Sequence, residues 1–279
     1  VGSEMCIRDS NIHTKDFTWF TNLNFGYNDN TVLRETVAEN AIKPSREGYS
    51  VGAIFAYKTA GLDDEGYPLF LTQDGRKVTA TEFFKLNNAG ASTLSAEEQR
   101  NLYSYIGSTE PKVSGGFMNT FKYKRVTLGI NCIFNFGMYV QTTPTYDPTN
   151  YDRGLNSNRD ILNRWTPDHT NTTLPKLMTE NDGRTGEYLR YKEQNLFREL
   201  DIWVKKQNYF RFESIRLGYE LPEKWLKPVG IKSASVSLEG RNLWVIASNY
   251  HNYLDPETMG NPYAAPIPKS FIFGLNVNF

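Results

Sequence analysis

No stretch of this chain approaches the ~20 consecutive apolar residues of a membrane-spanning helix, and its mean hydropathy is -0.54. A helical membrane protein is therefore excluded. A strand-built one is not, because barrel strands alternate apolar and polar residues and leave no long run. An excess of one charge is also missing: 31 Lys and Arg balance 31 Asp and Glu. Without a basic excess, nucleic acid is not an expected partner. The two cysteines, Cys6 and Cys132, cannot build a disulfide framework, and Cys132 reads as a small apolar residue within a strand. The three histidines, His13, His169 and His251, are too scattered for metal-ligand spacing. The chain lacks a nucleophile elbow, a Walker loop and a dinucleotide fingerprint. No enzymatic chemistry and no cofactor are expected.

What the chain does have is aromatic residues, at 14%, placed with a period of two. Over 15–28, Phe17, Trp19, Leu23, Phe25 and Tyr27 share one face, against Thr18, Asn22, Asn24 and Gly26. A strand places such residues on opposite faces, whereas a helix would scatter them. The segment 116–137 repeats the pattern twice around a tight basic turn at Lys124-Arg125. Val126, Leu128, Ile130, Cys132, Phe134 and Phe136 alternate with Thr127, Gly129, Asn131 and Asn135. Three more strands fall at 208–220, 232–243 and 269–279. With 49–59 and weaker candidates near 186–204, the reading gives about eight strands of barrel length.

The polar faces hold Asn, Ser, Thr and Gly, which suits a wet lumen better than a soluble surface. Residues 60–114 and 138–185 read as long irregular connections, rare in a compact soluble domain and routine on one side of a barrel. Ser95 to Arg100 reads as a capped helix start. Asp63-Asp64-Glu65-Gly66 and Asp74-Gly75 lack the spacing of a calcium loop and read as exposed turns. Residues 1–10 share none of the patterning and lack the apolar core of a signal peptide. They read as a non-native leader before a single region, 11–279, with the N-terminal part of the protein lying outside the chain.

Several runs carry a resemblance. Tyr209-Phe-Arg-Phe-Glu-Ser-Ile-Arg-Leu-Gly-Tyr-Glu-Leu-Pro222 resembles the "FLRLKNVTLGYTLP" pattern of the SusC/RagA family of TonB-linked outer-membrane proteins. Ser235-Val-Ser-Leu-Glu-Gly-Arg-Asn-Leu-Trp244 is similar to the family's "LRVYASGQNLFTW", Tyr253-Leu-Asp-Pro-Glu257 to its "GYDPE", and Pro266 to Phe279 to its ending. Upstream, Gly52 to Leu62, Tyr105 to Phe121, Arg164-Trp-Thr-Pro167 and Leu174-Pro-Lys-Leu177 match in family order. Each piece is weak alone, and the ordered set is strong.

The resemblance implies an all-β fold: the C-terminal part of a large antiparallel transmembrane β-barrel with long extracellular loops. Family barrels have roughly 22 strands closed by an N-terminal plug. The implied function is TonB-dependent import of oligosaccharides or peptides across the outer membrane of Bacteroidota. The implied partners are a SusD-like surface lipoprotein and, through the missing N-terminal part, the TonB complex. A soluble β-sandwich that binds carbohydrate and a non-transporting structural barrel are the alternatives.

Two groups of site residues follow. Phe271, Phe273, Leu275, Val277 and Phe279 form an aromatic-ended strand of the kind that barrel-assembly machinery reads by strand addition. The plainer reading is a girdle facing outer-membrane lipid. Tyr139, Tyr146, Tyr151 and Trp165 lie in the long loops and could stack on sugar rings. Packing among the loops or against the lid lipoprotein is the favoured reading for these four.

Overall fold

A computed structural model describes residues 2–151, 157–248, 255–261 and 263–279. The chain opens with β1 (Gly2–His13) and β2 (Phe17–Asn28). A long excursion follows, holding β3 (Ala53–Ala56), β4 (Thr59–Leu62), β5 (Pro68–Leu71), β6 (Lys77–Val78), α1 (Ala80–Phe84), α2 (Ala96–Arg100) and β7 (Ser104–Ser108). The hairpin of β8 (Val113–Tyr123) and β9 (Val126–Phe136) comes next. A second excursion carries β10 (Tyr139–Gln141), α3 (Thr185–Gln194) and β11 (Val204–Lys206). The chain then runs through β12 (Tyr209–Glu220), α4 (Glu223–Leu226), β13 (Ser233–Ala247) and β14 (Ser270–Asn278).

Seven strands form one antiparallel sheet in the order β1-β2-β8-β9-β12-β13-β14. Each neighbour in space is the next long strand in sequence, an up-and-down meander. Register aligns the apolar side chains in rows across it. Phe17, Tyr123, Val126, Tyr219, Val236 and Leu275 form the first row, and Trp19, Phe121, Leu128, Leu217, Leu238 and Phe273 the second. Further rows run up to Tyr27, Val113 and Phe136. A strand of 12 residues spans about 37 Å, and at a barrel tilt of about 40° it rises about 28 Å, close to the height of a bilayer's apolar band.

This apolar face is uncovered. Phe271 is 72% exposed, Phe273 73%, Trp244 67% and Leu217 51%, and among the described residues no second sheet packs on it. A soluble sandwich would bury such a face. Its polar members are paired internally: the Trp19 indole N–H and the Thr21 hydroxyl both donate to Asn119 Oδ1, at 2.9 and 2.8 Å. Such pairing is what a lipid-facing surface requires. Cys132 is a free, buried thiol between Phe117 and Phe212, as expected of a small apolar strand residue.

Three expectations are corrected. First, among the described residues the sheet has seven strands: 49–59 contributes only β3, which pairs with β7 outside it, 186–204 adds none, and β1 is an addition. Second, 186–204 is led by helix α3. Its buried residues Glu187, Tyr188, Arg190 and Tyr191 have the spacing of a helix face, but two of them are charged, which hides the period. Third, the long excursions are not irregular. They share a core in which Phe70, Phe84 and Leu200 are 0% exposed, with Tyr57, Tyr67, Tyr191 and Trp203 around them.

Local capping explains the cap helices. Thr79 accepts from Glu82 N to start α1, and a Ser95–Glu98 capping box starts α2. Residues 2–10, which the sequence sets apart, are the first part of β1 and pair with Phe20 to Asn28 through the backbone. Backbone ladders at a sheet edge tolerate any side chain.

Candidate functional site

The polar face of the sheet is the hollow one. A concavity of about 470 Å³ lies against it, with Thr120, Asn131, Arg216, Ser237 and Glu239 in its lining. Strand alternation puts Thr, Ser, Asn and Gly here because the opposite face takes the apolar residues. At mid-height the ladder breaks. β12 shifts register between Phe212 and Ser214, opposite Trp244 and Arg241, and Asn242 there takes a positive φ of 54°. This bulge adds charge to the hollow. Glu213 accepts from Asn131 Nδ2 at 2.6 Å, Arg241 pairs with Glu239 at 2.6 Å, and Arg216 reaches Ser237 at 3.3 Å. Bulges that re-aim side chains are common beside functional sites.

Above the bulge, Arg211 is 2% exposed. Its Nη2 donates to Asp255 Oδ1 and its Nε to Glu257 Oε1, each at 2.5 Å. Asp255 is itself 4% exposed and also accepts from Glu257 N at 3.0 Å. Pro256 is fully buried and Met259 nearly so. A side chain at Gly260 would strike Val140 of β10. The described part of the β13–β14 connection is thus folded inward, fixed to the wall at Arg211 and pressed against the cap.

The cap joins the two excursions into one body. Arg184 on the second pairs with Asp63 at 2.6 Å and Glu65 at 2.9 Å on the first. It also lies 4.4 Å from the centre of the Tyr67 ring. The Tyr67 hydroxyl donates to Asp182 Oδ2 at 2.9 Å, and Lys176 sits 3.0 Å from the same carboxylate. Burial pushes the Asp182 carboxyl up, but hydrogen bonds from Thr179, Lys176 and Tyr67 outweigh it and hold it at about 2. Burial pushes the Tyr67 hydroxyl well above its ordinary value. The Glu187 carboxylate accepts from Thr81 at the start of α1, and Arg190 lies over the Phe84 ring.

The singled-out residues fall as follows. Phe271, Phe273, Leu275 and Val277 lie on β14, on the outward face, and Phe279 follows it at 80% exposure. Tyr146 is buried in the cap, its hydroxyl donating to Pro175 O at 2.8 Å. Tyr139 is half-buried against Gly107, and Trp165 half-buried against Gly66. Tyr151 is half-buried in the second excursion. These four are not brought together into one cluster.

Asp63 uses its carboxylate on Glu65 N, Tyr67 N and Arg184, and Asp74 on Thr72 and Arg76. Among the described residues no group of three metal-ligating side chains occurs. His13 bonds Thr18, and His169 bonds Arg164 O. His251 lies outside the described residues. Sequence reading missed the Arg211 clamp. Its only trace is an Arg on a polar strand face and two acids flanking a proline some forty residues later.

No protein-family model matches the chain. Curated relatives do. TonB-dependent receptor P3 of Formosa agariphila is 24% identical over 311 residues, covering 100% of this chain and 28% of that protein. TonB-dependent receptor SusC of Bacteroides thetaiotaomicron is 21% identical over 302 residues, covering 100% and 26%. Among solved structures, the RagAB peptide transporter superposes with a TM-score of 0.71 at 22% identity, covering 100% of this chain and 29% of that one. The chain therefore spans less than a third of the relatives it matches. Along its whole length it is SusC/RagA-like, a relative of the TonB-dependent receptors that shares the barrel fold of the RagAB transporter over the matching part.

Proposed function

We propose that this chain forms part of the barrel wall and extracellular cap of a TonB-dependent outer-membrane importer for oligosaccharides or peptides. One observation carries the reading: a meander with an uncovered apolar face, bilayer-high, backed by a hollow polar face under a folded cap. Lipid covers the first face, and substrate passes the second without covalent chemistry. The TonB-dependent receptor names and the RagAB peptide transporter support import, and the latter supports peptides as one of the two candidate substrate classes.

By the same analogy, a SusD-like lipoprotein closes over the cap and the TonB complex supplies energy. Tyr139, Tyr151 and Trp165 are the half-buried rings left to meet substrate or lid. The row Phe271, Phe273, Leu275, Val277 and Phe279 is the signal read during barrel assembly.

The test is deletion of the gene in its host, with growth followed on single glycans and on peptide mixtures. Growth loss on one class, restored by the natural gene and not in a strain without TonB, is the expected result. Unchanged growth on both classes, with the protein in the outer-membrane fraction, overturns the import reading.

A further inference from the structure

The short-turn end of the sheet carries a feature that import does not call for. Its three connections hold Lys15, Lys124, Arg125, Lys224, Lys227 and Lys232 against only Asp16 and Glu223, although the whole chain is neutral. Lys227 has an exposed partner in Glu223 at 3.5 Å. Lys15, Lys124, Lys224 and Lys232 make no ion pair among the described residues.

The β12–β13 connection is not a plain turn. It is a short helical foot, α4 continued to Val229, with Leu226 buried, Trp225 59% exposed and Val229 66% exposed. The foot is held to the end of the sheet by the backbone. Leu221 N donates to Ala234 O, and Lys232 N to Asn278 O, each at 2.9 Å. The first apolar row, with Tyr123 and Tyr219, lies directly above it, and Lys124 sits 5.3 Å over the Tyr123 ring. Exposed Trp, Val and Tyr beside lysines without an ion pair, at the end of the sheet where its apolar face begins, match the headgroup layer of a bilayer. There aromatic rings take the boundary, and long basic chains extend to phosphate.

We propose that the helical foot at Glu223–Leu226, with the Lys124-Arg125 turn beside it, is a binding surface for anionic phospholipid of the facing leaflet. Lys124, Lys224 and Lys232 take the phosphate-bearing headgroups, and Trp225 enters the interface. The inference rests on the outer-membrane reading, and charge complementarity selects lipid as the occupant. Each cation near a membrane surface is worth about fivefold in anionic-lipid affinity, so three give on the order of a hundredfold.

The experiment uses the protein at its natural length, reconstituted into bilayers of phosphatidylcholine with and without phosphatidylglycerol, with retained lipid read by mass spectrometry. Phosphatidylglycerol is expected to be retained over phosphatidylcholine, and added inorganic phosphate is expected not to compete. The preference should fall by at least tenfold in Lys124→Asn/Lys224→Gln/Lys232→Gln. Brominated phosphatidylglycerol should quench a tryptophan component that Trp225→Phe removes, a readout taken on folded, inserted protein. Insertion with equal retention of both lipids, or a preference the triple variant keeps, overturns the proposal and leaves the barrel reading standing. Failure to insert into either bilayer overturns both.

Discussion

Replacing Arg211 by Gln leaves Asp255 as an uncompensated charge at 4% exposure. Two charge-assisted bonds of 2.5 Å disappear at once. Removing one partner of a buried ion pair costs about 3–5 kcal/mol. Among the described residues, the inward fold of 255–260 is otherwise anchored by Pro256, Met259 and the Gly260 contact with Val140. The cost therefore falls on local opening of this segment. At 1.4 kcal/mol per factor of ten, protection of the amides at 257–261 should drop on the order of a hundredfold or more.

Glu257→Gln should cost only about 1 kcal/mol, since that carboxylate is 28% exposed and keeps water as a partner. Arg211→Met with Asp255→Asn removes both charges and should recover most of the loss, because it leaves no buried ion behind. Hydrogen exchange followed by mass spectrometry on the inserted protein reads all three. Unchanged protection at 257–261 in Arg211→Gln would refute the clamp, as would a double variant no better than the single.

Other outcomes follow from the same structure. Leu217→Lys, on the outward face, should lower unfolding free energy by about 2–4 kcal/mol. Its neighbour Arg216→Gln, facing the hollow, should change it by less than about 1 kcal/mol; equal effects in a urea titration would reject the assignment of faces. Gly66→Ala should loosen the cap by about 2 kcal/mol or more. A Cβ there would lie 2.5 Å from the Trp165 ring, on a backbone at φ +82°, and Trp fluorescence that is unmoved on heating the variant would contradict this.

Asp182 has a depressed pKa of about 2 in the folded cap against an ordinary 3.8. Its contribution is thus present in full above about pH 4 and lost as pH falls through about 2. Near-ultraviolet circular dichroism should show this acid loosening and show it blunted in Asp182→Asn; identical acid transitions would count against it. Finally, Phe279→Ser should reduce the amount of assembled protein in the outer membrane, and unchanged surface levels would remove the assembly role.

The sheet was legible from residue order alone because its rule is local. Side chains at i and i+2 share a face, so Val126 to Phe136 and Phe271 to Val277 declare their two sides without knowing their neighbours. The helix start at Ser95 was legible for the same reason: the capping box spans four residues. The cap was not legible. Its core joins Tyr57 and Phe70 to Tyr188 and Trp203, pairs more than a hundred residues apart whose polar surroundings imitate loop. In α3, Glu187 and Arg190 hold charge in the buried face and erase the apolar period that would have marked a helix.

What the sequence by itself determined was alternation, and with it an antiparallel sheet having one apolar and one polar side. Only the tertiary structure decided which seven strands of the described residues join the sheet, that the two excursions merge into one folded body, and that Arg211 meets Asp255 and Glu257. The physical reason is range. Strand facing is set by backbone geometry between adjacent residues, whereas a buried charge is tolerated only when a distant partner arrives to neutralise it, and no local pattern announces that partner.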